Sequence, residues 1–299
     1  MGRAMAYRLA AMVWLAAVAA PAMAGTPFAQ TAKCPVGGKT FTYTATASYS
    51  IWGYRPDGKP YGSWEFPLEL PKCPDNGLVL FDEFNQDEVK RLEALVDSPE
   101  YRAMREVETN YFLASWLMKQ LGREPINVAW MVVQASWQAD GRPDLKARYQ
   151  ALYVDQIRNL PKSGDVIDWL AMQGRAVNGL RELKRFDEAS ALLASLDLAP
   201  LDVPIPEEKA GAATPSGLGR QVLNYDEIRE AQRKRGFLEY FKQLGQLIQA
   251  RDPAAEPLRM IPAREAAGLC RSQQATLSQA DKDYCASEGV QRLMAPAAN

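Results

Sequence analysis

From Asn85 onward, apolar positions recur three or four residues apart over most of the chain, and the pattern is densest across residues 165–200. There Trp169, Leu170, Ala176, Val177, Leu180 and Leu183 mark one face of a helix. Lys184-Arg185-Phe186-Asp187 makes a tight turn, and Ala189, Leu192, Leu193 and Leu196 line a second helix. Neither helix can hide its apolar face alone, so the pair must dock on other helices. Around it the same period predicts more helices. Asn85 caps residues 86–96, with Glu88 at the capping-box position. Ser98-Pro99-Glu100 opens a long helix running to Leu121, where Gly122 stops it. Pro125 starts a densely apolar helix, and Gly141-Arg142-Pro143 breaks it before another that reaches about Asn159. Asn224 caps a helix of roughly 26 residues, judged by its unbroken 3.6 period. Two short helices near 263–273 and 279–288 end the chain.

Before residue 85 the period is two. Residues 41–46 and 49–54 alternate β-formers, Pro56-Asp57-Gly58-Lys59 is a strong turn signal, and residues 61–70 return. This predicts a β-hairpin or small meander over 39–70, with a flexible leader at 25–33. Pro67 and Pro71 make the returning strand short or place it at an edge. The fold class is therefore mainly α with a small N-terminal β segment, built as a helical-hairpin stack. Five regions follow: 1–24, a β region at 25–84, a helical body at 85–198, a Pro/Gly-rich linker at 199–222, and C-terminal helices at 223–299.

The first 24 residues change the setting. Arg3 and Arg8 precede an apolar run from Leu9 to Ala20, and Ala22-Met23-Ala24 is a small-residue cleavage signal. The run is short for a membrane span, so it reads as a signal peptide cut after Ala24. The protein is then exported, to the periplasm or, failing that, the extracellular space, with no transmembrane segment after cleavage. Loss of Arg3 and Arg8 leaves 33 basic against 36 acidic residues, which gives no long-range attraction for nucleic acid. The sequence holds no histidine. That excludes Ser-His-Asp triads, Cys-His dyads, HExxH sites and imidazole-ligated zinc, and no cofactor is implied.

The four cysteines are Cys34, Cys73, Cys270 and Cys285. Cys34-Pro-x-x-Gly and Cys73-Pro-x-x-Gly each match a zinc knuckle that has lost its second cysteine, with Gly37 and Asn76 in the vacant places. Two thiolates without histidine cannot close a structural zinc site, but sulfurs drawn toward one metal are already placed to bond. Four cysteines allow three pairings, and spacing alone does not choose among them. The knuckle argument favours Cys34–Cys73 and leaves Cys270–Cys285.

Two Cys-Pro knuckles, a β segment between them and a helical body after them resemble an uncharacterised bacterial family. Its members join a zinc-ribbon-like N-terminal region to tetratricopeptide-like helices. Gly179 to Ala189, with Pro200 beyond, carries the tetratricopeptide likeness, and Ala189 sits where those repeats need a small residue. The likeness spans residues 34–198 and implies no catalytic residues.

Two functional readings follow. The first is a non-catalytic scaffold of the envelope that binds another envelope protein or a peptide, with Asn127, Gln134, Asn178 and Arg181 lining a groove between helix pairs. The second is an envelope glycan binder with Trp52, Tyr54 and Trp64 as its platform. That version extends to a hydrolase using carboxylates near Asp82 and Glu106, the former within the acidic pairs Asp82-Glu83 and Asp87-Glu88. For the aromatics, cross-strand packing is the plainer role. For the acids it is helix capping. Trp116, Trp130, Trp137 and Trp169 fall at core spacing on helices.

Overall fold

The computed structural model describes residues 25–162, 164–213, 220–222, 224–273 and 277–295, so the proposed signal peptide lies outside the described residues. The chain begins with two hairpins. β1 (Thr26–Lys33) pairs antiparallel with β2 (Thr40–Ser48), and β3 (Ile51–Tyr54) with β4 (Pro60–Gly62). Residues 25–33 are thus a strand and not a flexible leader. The first knuckle, at 34–39, is the tight turn that folds them back onto residues 40–48. The return after Gly58 is strand only over the three residues of β4.

Helices follow: α1 (Gln86–Asp97), α2 (Pro99–Val107), α3 (Asn110–Leu121), α4 (Pro125–Gln138), α5 (Pro143–Arg158), α6 (Val166–Glu182) and α7 (Phe186–Ala194). Each of α3 to α7 packs on the next, which makes a stack of helical hairpins. Asn85 and Glu88 form a capping box at α1, Ser98 caps α2, and Gly122 ends α3 with φ 77°. The single helix expected over 99–121 is two helices. Thr109 caps α3 through the Phe112 N–H, its own N–H donates to Tyr149 Oη at 3.2 Å, and Asn110 donates to the Leu70 carbonyl. Partners about forty residues away in sequence make the break favourable.

A short antiparallel pair, β5 (Ala210–Ala213) and β6 (Arg220–Val222), precedes α8 (Tyr225–Gln249). Asn224 does not cap α8 with its side chain. Its amide instead donates to the Glu207 carbonyl and accepts from the Lys209 N–H, tying the helix start to the preceding segment. Phe241, Leu244 and Ile248 of α8 enter the core formed by α4 to α7. α9 (Ala263–Ser272), α10 (Gln279–Cys285) and α11 (Glu288–Met294) surround a separate small core.

The two knuckles face each other and share their geometry. Cys34 N donates to Lys39 O and Cys73 N to Leu78 O, both at 2.8 Å, while Gly38 and Gly77 take positive φ at matching positions. Cys34 and Cys73 are joined by a disulfide with Cα atoms 5.8 Å apart. Asn76, in the second of these turns, reaches across to the Val36 carbonyl at 3.0 Å. The sulfurs sit in a core with Leu78, Val79, Leu92, Tyr101 and Leu117, which seats the knuckles on α1 to α3. Cys270–Cys285 closes the small C-terminal core. Among the described residues, no group of His, Cys, Asp or Glu is placed to hold a metal ion, and no helix is long and apolar enough to cross a membrane.

The two bridges differ in the loops they close, with sequence separations of 39 and 15. The chain-entropy relation gives about 4 kcal/mol for the first and about 3 kcal/mol for the second. Cys34→Ser/Cys73→Ser should therefore lose more stability in urea than Cys270→Ser/Cys285→Ser. Equal midpoints for wild type and the first double variant would contradict this account.

Candidate functional site

The richest polar constellation forms where the β3–β4 turn meets the helix stack. Gly58, at φ 87°, donates its N–H to the Arg55 carbonyl, and Arg55 donates to Lys59, both at 2.9 Å. The turn lies against Arg175 of α6 and Tyr240 of α8 and reaches Asp140, just beyond α4. Tyr240 Oη of α8 donates to the Pro56 carbonyl at 2.8 Å. A Cβ on Gly58 would come within 2.6 Å of Arg175 Nε on α6, so only glycine lets the backbone lie there.

Burying this turn buries charge, and the charges saturate one another. Arg55 and Asp57, each with 7% side-chain exposure, pair at 2.5 Å. Asp140, just beyond α4, accepts from Arg55 at 2.8 Å, Lys59 at 2.7 Å and Lys146 at 2.9 Å. Burial alone would raise the Asp140 carboxyl, but Arg55 and Lys146 outweigh it and hold Asp140 well below the usual carboxylate range. Beneath lies Glu182, which accepts from Gln150 and Asn178 at 2.7 Å each. Burial, reinforced by the nearby Asp57 charge, pushes Glu182 above its ordinary value. Arg181 donates to Asn178 Oδ1 and to the Asp252 carbonyl.

Asn178 and Arg181 therefore do not line an open groove. Both are 0% exposed and serve to neutralise the core. Asn127 is exposed, and Gln134, half-buried, donates to Met131 Sδ. The chain's own turn at 55–59 covers this side of α6 and α8.

Beside the turn is a cavity of about 460 Å³. Tyr54, Pro56 and Gly58 wall it on the hairpin side, Ala171 and Arg175 on α6, and Arg233, Phe237 and Tyr240 on α8. Gly174 has no room for a side chain, since a Cβ would come within 2.7 Å of Tyr240, and this closeness brings α8 against α6. Three arginines reach the cavity. Arg55 is neutralised by Asp57 and Asp140. Arg233 is shared among Glu230, Asp165 and Asp168 at 3.2–3.8 Å. Arg175 has no ion pair or hydrogen bond among the described residues, and its Nε is buried without a partner. Its guanidinium lies over the Trp130 ring at 5.1 Å. Trp130 is 38% exposed and supports this cation, whereas Trp137, edge-on to it, is in the core.

The proposed glycan residues are dispersed in role. Trp52 is half exposed, with its indole N–H donating to Glu265. Tyr54 borders the cavity. Trp64 is half-buried, and its ring closes over Gly25. The acids are engaged elsewhere. Asp82 and Glu88 both pair with Arg123 on the α3–α4 connection, at 3.2 and 2.9 Å, and Glu106 pairs with Arg105. A wider groove of about 960 Å³ between α8 and α10 carries both signs of charge, including Glu239, Arg251, Asp281 and Arg259, and selects no ligand charge.

Sequence reading missed Arg175, Phe237 and Tyr240. No local signal marks Arg175, which follows Gly174 on a helix that also carries Asp168, Gln173, Asn178, Arg181 and Glu182. No protein-family model, curated protein or solved structure matches the chain.

Two outcomes test the ionic seat. Asp140 is more acidic folded than unfolded, so its stabilisation is complete above about pH 5 and drains as pH falls below that. The stability gap between wild type and Asp140→Asn should narrow from about pH 5 to pH 2, and a constant gap would refute the ion-pair account. Arg55→Met, which strands Asp57, should cost about 3 kcal/mol in denaturant melts. Adding Asp57→Leu should restore part of that loss, and strict additivity of the two changes would mean they do not act as a pair.

Proposed function

We propose that this protein is an exported, non-catalytic scaffold or peptide-binding protein of the cell envelope. It works in the periplasm or, failing that, outside the cell. It holds a segment of a partner protein in the cavity over the 54–58 turn. The observation that carries this reading is the cavity itself, a preformed recess with aromatic and arginine walls on one face of a helical-hairpin stack. Its volume is in the range of about 300–1,000 Å³ common for ligand sites, and stacked hairpins are a common frame for holding peptides. Disulfides that use all four cysteines support export, as does the leader at 1–24. The non-catalytic part is supported by a sequence without histidine and by charged groups under the turn that are spent on one another.

A photo-crosslinking residue at Tyr54, which is 56% exposed at the cavity mouth, should give a discrete adduct in intact cells. The same residue at Val107, exposed on α2 outside the cavity, should not. Folded protein that gives no adduct from Tyr54 would remove the reading.

A further inference from the structure

Resting on that peptide-binding role, we infer that the cavity receives the carboxyl terminus of the partner chain. Arg175 holds the terminal carboxylate, and an aromatic or aliphatic last side chain fills the recess.

Charge complementarity carries the argument. Of the three arginines at the cavity, only Arg175 keeps an uncompensated charge, and its Nε lacks an acceptor. A guanidinium left without a carboxylate inside a partly dry recess favours an anionic ligand. The guanidinium lies over the Trp130 ring, 5.1 Å from its centroid, and packs closely against Gly58. A planar fork matches a carboxylate with two parallel hydrogen bonds.

The site suits a single negative charge. A phosphate dianion would want further donors deep in the recess, but the hydroxyl of Tyr240, on its inner wall, is spent on the Pro56 carbonyl. Pro56, Ala171 and Phe237 add apolar wall, which calls for an apolar group next to the carboxylate. The rim is open: Tyr54, Gln232 and Gly236 are exposed. A small free acid would leave much of its surface in water there, whereas a chain end can fill the recess and continue out over Tyr54.

The test uses the mature protein with a pool of N-acetylated random hexapeptides, made once as free acids and once as carboxamides. Retention is read by equilibrium dialysis and mass spectrometry, with 3-phenylpropanoate alongside as a free acid. Wild type should retain acids ending in aromatic or aliphatic residues. It should hold the matching carboxamides about tenfold to a hundredfold less tightly, the range of a charged hydrogen bond. Arg175→Met should lose that preference, and Arg175→Lys should keep only part of it. If Arg175→Met does not fold, Ala171→Trp, which fills the recess and keeps the arginine, should abolish retention. Equal retention of acids and carboxamides would overturn the inference while leaving peptide binding intact. Retention of neither pool would overturn it too, and the Tyr54 adduct then reports separately on the peptide-binding role. Phenylpropanoate bound as tightly as the peptide acids would overturn the chain-end assignment.

Discussion

A charged turn cannot be buried unless every charge it carries finds a partner in place, and the arrangement of this protein follows from that constraint. Arg55 and Asp57 leave water together, and Asp140 and Lys146 wait for them on the helix stack. One further layer in, Glu182, Asn178 and Arg181 continue the saturation into the core. Pairs of this kind add little net stability over apolar packing, but they penalise any other seating heavily. Their effect is to fix where the hairpin sits. That placement brings Gly58 against Arg175 and shapes the cavity beside it.

The N-terminal end obeys a different rule. Two turns of matching backbone geometry are joined by a sulfur–sulfur bond and by the Asn76 amide. Tyr101 and Arg105 of α2 add hydrogen bonds to the Gly77 and Asn76 carbonyls, so the joint is fastened to the helices as well as to itself. The clasp and the ionic seat anchor the first sixty residues of the described chain at two separate places on the stack.

What could be read from sequence was local. Asn85 with Glu88, Ser98 with Pro99, and Gly122 announce helix ends because the groups they satisfy are within four residues. The turn at 56–59 was legible for the same reason. Distant partners were not. Thr109 splits a helix because Tyr149 and Leu70 meet its neighbourhood, and residues 25–33 become a strand because residues 40–48 return to them. Arg181 looked like a groove residue because exposure is the usual state of arginine. Its burial depends on Asn178 one turn earlier and on a carbonyl 71 residues later. Arg175 had no local mark of function, since its isolation is defined by groups from three separate stretches.

The second hairpin also binds the far end of the chain. Trp52 reaches Glu265, Tyr61 reaches Glu256 at 2.7 Å, and the Pro56 carbonyl reaches Tyr240, across separations of 213, 195 and 184 residues. A chain made from its N-terminus exposes this hairpin early, and all three partners emerge only near the end of synthesis. These three contacts of the hairpin therefore wait for residues 240–265 to be made.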